Sequence, residues 1–282
     1  MSDSQAAICH VEGIEIGPGR PLAIVAGPCV LESQETNHAI ASTMAAICRD
    51  HNLPYIFKAS YDKANRSSIR SARGPGLDDG LAMLARIRSD LGAPITTDVH
   101  EPSQAAVVGE VVDLLQVPAF LCRQTDLLVA CGETGRAVNV KKGQFLSPSE
   151  MRHVVNKLRE AGCNDLMLTE RGTFFGYHRL VNDFIGLGDM IAMGHPVCFD
   201  VTHSTQLPGA ETDVTGGRPD RADLLARAAV AAGVHALFIE THPEPEKALS
   251  DRSTVQPLDR MPELIAQVAA VSRAMSGRPA PA

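Results

Sequence analysis

The chain alternates short apolar runs with longer segments of helical periodicity from about residue 20 to residue 275. Each apolar run ends in a polar cluster, which is the pattern of a β-strand buried on both faces. Eight strands are predicted in this way, at residues 22–26, 55–58, 95–99, 113–117, 137–141, 165–169, 197–201 and 236–240. Strands of this kind, separated by helical segments, indicate a parallel sheet with crossover helices.

Helices are predicted in most of the intervals between the strands. Ser33 is a suitable N-terminal cap, while Pro148 and Gly162 provide a first-turn proline and a stop signal for a later helix. The predicted helices cover about residues 33–50, 77–91, 124–131, 148–161, 219–233 and 258–275, and a short one begins near Pro102. Residues 7–16 alternate around a central Gly13 and predict a small β-hairpin before the main fold.

Eight strands alternating with helices over one domain length predict a (β/α)8 TIM barrel with a short N-terminal β-hairpin. A doubly wound open sheet is the competing fold, which periodicity alone does not exclude. Residues 1–282 are expected to form a single domain, with residues 1–20 as the hairpin extension and residues 276–282 as a frayed tail.

Composition restricts the possible functions. The 282 residues carry a formal net charge of −7, only 4% are aromatic and none is Trp, which argues against a nucleic-acid-binding surface. No run approaches the roughly 18 apolar residues of a membrane span, and residues 1–20 lack the pattern of a secretory signal. Seven cysteines without a Cys-x-x-Cys pair indicate a reduced, cytoplasmic protein. We therefore expect neither nucleic acid nor a membrane as a partner.

Polar residues follow nearly every predicted strand, and in a (β/α)8 barrel these strand ends form one functional face. Besides the cations discussed next, they include Cys29, Glu32, Asp98, His100, Gln116, Asn139, Lys142, Glu170, Asp200, Gln206 and His242. The densest cluster is the loop after the second strand. That loop carries Lys58, Ser60, Lys63, Asn65, Arg66, Ser67 and Ser68. Cations and hydroxyl groups in one loop are suited to an anionic small molecule.

The candidate cations come from several loops. They are Lys58, Lys63, Arg66, Arg123, Lys141 and Arg171. Six cations are more than one phosphate needs, so we expect two anionic groups or two substrates, such as a phosphorylated sugar and a carboxylated phosphate ester. The alternative is that the three arginines form structural ion pairs. Their partners would be Asp62 for Arg66, Asp126 for Arg123 and Glu170 for Arg171.

A possible metal site follows from the order of the strands. Cys29, His203 and Glu240 end the first, seventh and eighth strands. Closing the barrel makes the eighth strand a neighbour of both the others, so the three side chains would converge. Thiolate, imidazole and carboxylate suit Zn²⁺ or Fe²⁺, and Asp251 in the next loop can complete the set. Read singly, Cys29 is better explained as a small buried residue and His203 as a hydrogen-bonding group at a strand end, and it is the agreement of three positions with barrel closure that favours a metal.

Seven motifs resemble those of the 3-deoxy-D-manno-octulosonate 8-phosphate synthases. They are AGPC at residues 26–29, FKASYDKANRSS at 57–68, QVPAFLCRQTD at 116–126, NVKKGQF at 139–145, TERG at 169–172, THSTQLPG at 202–209 and ETHPEP at 240–245. The resemblance covers about residues 20–275. It implies a (β/α)8 barrel, usually a homotetramer, that condenses phosphoenolpyruvate with arabinose 5-phosphate and releases phosphate. The product is a precursor of lipopolysaccharide.

The resemblance also implies a metal. Metal-dependent members of the family have Cys at the position of Cys29, where the others have Asn, and residues 248–253 resemble the metal-dependent form of that loop. One divalent ion, Zn²⁺, Fe²⁺ or Mn²⁺, is therefore expected as a cofactor. Its implied ligands are Cys29, His203, Glu240 and Asp251.

The same resemblance implies the substrate contacts. Phosphoenolpyruvate-contacting positions are Lys58, Ser60, Lys63, Gln116, Lys141 and Arg171. The positions that bind the pentose phosphate are Asn65, Arg66 and Ser67. Phe120 and Gln206 are further substrate-binding candidates. Arg123 matches a position that reaches the site of a neighbouring subunit.

The predicted catalytic set combines cations with groups able to move protons. It consists of Lys58, Lys63, Asp98, Lys141, Arg171 and His203. Asp98 and His203 are the two proton-transfer candidates, and the sequence does not choose between them. A related synthase acting on erythrose 4-phosphate or N-acetylmannosamine, or a non-catalytic barrel that binds a sugar phosphate or a metal, remains the alternative. Residues 208–220, rich in Gly and Thr, are a candidate lid.

Overall fold

The computed structural model of the chain describes residues 6–66, 68–210 and 216–276. Its strands are β1 (Cys9–Val11), β2 (Ile14–Ile16), β3 (Ala23–Gly27), β4 (Tyr55–Lys58), β5 (Ile95–Asp98), β6 (Leu114–Val117), β7 (Ala137–Lys141), β8 (Leu166–Glu170), β9 (Thr173–Phe174), β10 (Leu180–Val181), β11 (Val197–Asp200), β12 (Gln206–Leu207), β13 (Gly216–Gly217), β14 (Ala236–His242) and β15 (Gln256–Pro257). The α-helices are α1 (Gln34–Asp50), α2 (Leu77–Leu91), α3 (Pro102–Val111), α4 (Thr125–Gly132), α5 (Met151–Glu160), α6 (Phe184–Ile191), α7 (Ala222–Ala231) and α8 (Met261–Met275). Ser67, residues 211–215 of the predicted lid and residues 277–282 of the predicted tail lie outside the described residues.

Eight of these strands pair in parallel and close into a barrel. Their order is β3, β4, β5, β6, β7, β8, β11 and β14. The decisive pairs involve β14, in which Ala236 lies opposite Ala23 of β3 and opposite Cys198 of β11. An open doubly wound sheet would leave β3 and β14 without this contact. The predicted (β/α)8 barrel is therefore confirmed, together with the antiparallel hairpin of β1 and β2.

The strands are buried on both faces, which is why they are continuously apolar in sequence. One core fills the space between the barrel and the surrounding helices. The second fills the barrel itself and includes Val25, Leu114 and Phe238. Cys9 and Ile16 of the hairpin pack on this inner core, so the hairpin covers the amino end of the barrel and leaves the carboxyl end open.

Most predicted helices are present, with small shifts at their ends. Ser33 caps α1 and accepts a hydrogen bond of 3.1 Å from Thr36 N. Pro148 and Pro219 do not begin α-helices directly, because each opens a single 3-10 turn before α5 or α7. Within the described residues, none of these helices combines the length and the apolar character needed to cross a membrane.

Helix α6, between β10 and β11, is not predicted by the sequence pattern. Two glycines, Gly186 and Gly188, interrupt its periodicity and read as turn residues. Asp183 caps the helix by accepting a hydrogen bond from Ile185 N at 3.0 Å. A Cβ on Gly186 would lie 2.6 Å from Cγ of Pro148, so close packing of the helix requires the glycine there.

Candidate active site

The polar strand ends meet at the carboxyl end of the barrel and line a cleft of about 970 Å³. The predicted site residues in its lining are Lys58, Ser60, Lys63, Asn65, Arg66, Asp98, Phe120, Lys141, Arg171, His203, Gln206, Glu240 and Asp251. Two more lie behind the lining, since Cys29 contacts Asp251 and Gln116 contacts Asp98. The structure thus brings nearly all of the predicted residues to one place.

Cys29 is positioned by a close approach of two neighbouring strands. A Cβ on Gly27 would lie 2.0 Å from the carbonyl oxygen of Lys58, so any other residue would push β3 away from β4. Beyond the strand ends, Ser60 N donates to Cys29 O at 3.2 Å, and Lys58 Nζ donates to the same oxygen at 2.9 Å. These contacts hold the Cys29 side chain against the loop that follows β4.

Three candidate metal donors converge from β3, β14 and the loop after β14. The ligand atoms of Cys29, Glu240 and Asp251 all lie within 4.8 Å of one another. Oε2 of Glu240 is buried without a hydrogen-bond partner, which is costly unless a cation satisfies it. Burial, and next the charge of Glu240, raise the pKa of the Cys29 thiol well above its usual value. A bound cation favours the thiolate, so the donor set fits a divalent metal ion.

His203 lies beside these donors and just outside their tightest grouping. Its Nε2 is 3.7 Å from Glu240 Oε2 and 3.9 Å from Asp251 Oδ2. Asp200 is a carboxylate, because His203 and Lys141 outweigh its burial and hold its pKa well below the usual range. Nδ1 of His203, 2.8 Å from Asp200, therefore carries a hydrogen and donates it. A carboxylate oriented in this way is the usual support of a metal-binding histidine.

Lys63 places its ammonium group inside this donor cluster. Nζ is 3.0 Å from Cys29 Sγ and forms an ion pair with Asp251. Burial alone would lower the pKa of Lys63, but Asp251 and then Cys29 raise it well above the usual value. Lys63, which the sequence assigns to substrate binding, thus also provides a positive charge to two of the predicted metal ligands.

A buried hydrogen-bonded chain orients Asp98. Thr169 donates to Asn139, Asn139 donates to Gln116 at 3.0 Å, and Gln116 donates to Asp98 at 2.7 Å. Lys58 lies between two carboxylates, 3.4 Å from Asp98 and 3.2 Å from Glu240. Burial would raise the pKa of Asp98, but Lys58 and then Lys141 lower it well below the usual range. Asp98 is therefore held as an anion that can accept hydrogen bonds from a bound group.

Lys141 is fixed by a carboxylate on one side and an aromatic ring on the other. Its Nζ lies 2.6 Å from Asp200 and 3.5 Å from the centre of the Phe238 ring. Because Asp200 also holds His203, a single buried carboxylate orients both a cation and the imidazole.

Two arginines retain unpaired buried donors in the cleft. Arg171 donates through Nη2 to Gln206 at 2.5 Å, whereas its Nη1 is buried without a partner. Nε of Arg66 is also buried and unpaired. Guanidinium groups with free donors facing a cleft are suited to phosphate or carboxylate.

The alternative of structural ion pairs is not supported. Asp62 forms its ion pair with Arg73, and Glu170 pairs with Lys142 at 3.5 Å. Glu170 also accepts hydrogen bonds from the backbone of Arg171 and Gly172, at 2.8 and 2.6 Å. Within the described residues, none of the three arginines forms the ion pair considered from the sequence.

The chain is similar to known proteins over nearly its whole length. The family model described as "DAHP synthetase I family" matches residues 3–275. The chain belongs to the DAHP synthetase I family. Relatives named 2-dehydro-3-deoxyphosphooctonate aldolase include those of Cyanothece sp., 50% identical over 263 residues (93% of this chain and 96% of the relative), and Alkalilimnicola ehrlichii, 50% identical over 266 residues (94% and 96%). The relative from Granulibacter bethesdensis is 49% identical over 269 residues, covering 94% of this chain and 95% of its own. The resemblance found in the motifs is thus confirmed, and the chain is an enzyme of this family.

Arg123, which was predicted from the sequence to bind substrate, is not among the residues that line the cleft. Its side chain is exposed, and its carbonyl oxygen accepts a hydrogen bond of 3.2 Å from Lys157. Asn65 and Phe120 line the cleft but are also exposed, with 48% of Phe120 accessible. These residues stand at the rim, where a substrate or another subunit can reach them.

Asp200 is the main site residue to which the sequence prediction gives no role beyond a polar strand end. It is the last residue of β11, but its importance comes from contacts with Lys141, which lies 59 residues away, and with His203. The available signal is its position three residues before His203, the spacing at which a carboxylate at a strand end can accept from the next turn.

Proposed function

We propose that the chain condenses phosphoenolpyruvate with D-arabinose 5-phosphate and water to form 3-deoxy-D-manno-octulosonate 8-phosphate and phosphate, a step toward lipopolysaccharide. The observation that carries the proposal is the convergence in one cleft of four cations, three of them buried and one partly buried, with a set of metal donors. The cations are Lys58, Lys63, Lys141 and Arg171. The names of the relatives and the motif resemblance support the same reaction.

The reaction needs two anions held together. C3 of phosphoenolpyruvate attacks the aldehyde carbon, the new C–C bond makes C2 electrophilic, water adds at C2, and the C2–O bond to phosphate then breaks. The buried cations offset the repulsion between the two anionic substrates, and positioning supplies much of the acceleration. The free Nη1 of Arg171 is a donor for the phosphate or carboxylate of phosphoenolpyruvate, and Arg66 for the sugar phosphate.

We propose that Asp98 orients the attacking water. Its carboxylate is ionised and held by Gln116, and it lines the cleft beside Lys58. Its lowered pKa makes it a weak base, so it is suited to accept a hydrogen bond from the water and not to remove its proton. His203 is engaged with Asp200 through Nδ1 and faces Glu240 and Asp251 through Nε2, which leaves it better suited to a metal than to proton transfer.

The ligands proposed for the divalent metal ion are Cys29, His203, Glu240 and Asp251. When bound, the ion supplies a Lewis acid that orients the aldehyde or polarises water. Zn²⁺, Fe²⁺ and Mn²⁺ all suit a thiolate, imidazole and carboxylate set. Lys63 contacts both Cys29 and Asp251, so it balances their charge when no other cation does.

We also propose a homotetramer in the cytoplasm. Arg123 is exposed outside its own cleft, and nearby loops carry exposed Phe120 and Phe145. All seven cysteines are free and buried, as expected in a reducing compartment. Light scattering during gel filtration tests the assembly, and a monomer with full activity would contradict it.

The test of the function is phosphate release from phosphoenolpyruvate with arabinose 5-phosphate, before and after chelation and metal add-back. Release that is lost on chelation and returns with Mn²⁺ or Zn²⁺ supports both the reaction and the metal. Release that survives complete chelation removes the metal from the mechanism. If phosphate is released with erythrose 4-phosphate or N-acetylmannosamine but not with arabinose 5-phosphate, that other aldehyde is the substrate.

A further inference from the structure

Glu32 lies outside the cleft lining but connects two loops that carry candidate metal ligands. It follows Cys29 by three residues in the loop after β3. Its carboxylate crosses to the loop after β14, where Oε1 accepts a hydrogen bond of 3.0 Å from Leu249 N. Leu249 precedes Asp251 by two residues, so Glu32 joins the segment of one ligand to the segment of another.

The second carboxylate oxygen of Glu32 also forms a hydrogen bond. Its Oε2 lies 3.3 Å from Nε2 of His242, the last residue of β14. Nδ1 of His242 accepts a hydrogen bond of 2.9 Å from Glu244 N, so the ring hydrogen is on Nε2 and points at Glu32. Only 14% of the Glu32 side chain and 6% of the His242 side chain are accessible, which strengthens these hydrogen bonds.

Glu32 is itself held rigidly. Buried Asn37 of α1 accepts from Glu32 N at 3.1 Å and donates to Glu32 O at 3.2 Å. The Asp251 segment has an uncommon backbone conformation, because Asp251 has a φ of 52°, in the left-handed region that Asp adopts less readily than glycine. A fixed carboxylate thus supports the loop that carries Asp251.

We propose that Glu32 is a positioning residue that sets Asp251 opposite Cys29 and so determines the affinity of the site for a divalent cation. This inference rests on the metal site of the proposed function. Residues that orient metal ligands typically contribute about 10–100-fold to metal affinity. Glu32→Ala removes both acceptors. Glu32→Gln keeps the shape but has one acceptor oxygen, so its NH₂ faces either Leu249 N–H or His242 Nε2–H.

The experiment titrates the full-length, metal-stripped protein with Co²⁺ alone and follows the thiolate-to-cobalt charge-transfer absorption. We expect Glu32→Ala to raise the dissociation constant about 10–100-fold and Glu32→Gln to fall in between. The absorption per bound ion should persist, since Cys29 is held independently by β3 and β4. Glu35→Ala, an exposed change in the first turn of α1, is the matched control and should bind like the wild type.

A double-mutant cycle separates positioning from a general loss of structure. If Glu32 acts through Asp251, Glu32→Ala should add little to the loss of affinity already caused by Asp251→Ala. An effect of the same size in both backgrounds, or an unchanged dissociation constant in Glu32→Ala, would overturn the inference. If Glu32→Ala does not fold, the isosteric Glu32→Gln decides in its place. Absence of Co²⁺ binding by the wild type would instead remove the metal site and this inference with it.

Discussion

Replacing Asp200 with Asn tests the buried charge that holds Lys141 and His203. Asp200 is completely buried and accepts hydrogen bonds of 2.6 Å from Lys141 Nζ and 2.8 Å from His203 Nδ1. Removing one partner of a buried ion pair costs about 3–5 kcal/mol of stability. Losing one charged hydrogen bond that orients the site costs about 1.5–3 kcal/mol, which corresponds to roughly a 10–150-fold lower kcat/KM.

The assay combines initial rates of phosphate release with urea unfolding of the same preparations. Asp189→Asn, an exposed change on α6, is the control and should leave both unchanged. Combining Asp200→Asn with Lys141→Met should restore part of the stability, since no unpaired buried charge remains, but not the activity. An Asp200→Asn protein with kcat/KM within about twofold of the wild type and unaltered unfolding would refute the reasoning.

The pH dependence gives an independent check. The pKa of Asp200 is lowered in the folded protein by His203 and Lys141, against the effect of burial. Its contribution to stability is therefore fully present above the unfolded value of about 3.9 and is lost as the pH falls toward the folded value. The difference in unfolding free energy between the wild type and Asp200→Asn should be constant above about pH 5 and shrink below about pH 4. A difference that grows on acidification would contradict this assignment.

Three further predictions follow from single contacts. Cys29→Ala should abolish stoichiometric metal binding, measured by metal analysis after dialysis, and retention of chelator-sensitive full activity would exclude Cys29 as a ligand. Arg171→Lys should raise the KM for phosphoenolpyruvate by about tenfold or more, because the single nitrogen of lysine cannot replace the planar guanidinium, which holds Gln206 through Nη2 and directs Nη1 at a second acceptor. Steady-state kinetics with an unchanged KM would contradict this. Gly186→Ala should destabilise the protein by about 1–3 kcal/mol through its contact with Pro148, measured by urea unfolding, whereas an unchanged midpoint would show that the helix shifts freely.

The sequence pattern predicted the barrel strands, which are buried on both faces. It missed a helix whose glycine is required by close packing against a neighbouring residue. The barrel strands are covered on both faces, so their apolar runs are visible in the sequence. Helix α6 is hidden because Gly186 and Gly188 in isolation indicate a turn, although Gly186 is required by close packing against Pro148. Pro148 and Pro219 correctly mark helix starts but not that a 3-10 turn comes first.

The residues of the candidate site were largely predictable, but their partners were not. Their types and their positions at strand ends follow from the sequence, because barrel topology brings carboxyl ends together. The contact of Lys63 with Asp251 joins residues 188 positions apart, and that of Glu32 with Leu249 joins residues 217 apart. Such contacts depend on side-chain direction and loop geometry, and neither can be predicted from the spacing of the residues along the sequence.

The sequence by itself determined the order of the eight barrel strands and of most helices, the acidic charge balance and which polar residues stand at the strand ends. It also carried the motifs that identify the family, because these are runs of residue types at consecutive positions. Only the tertiary structure decided that the barrel closes through β3 and β14, that Cys29, Glu240 and Asp251 meet, and that Asp200 and Glu32 hold the groups around them. The physical reason is that hydrogen bonds and ion pairs depend on distances of about 3 Å between atoms, which long-range packing alone sets.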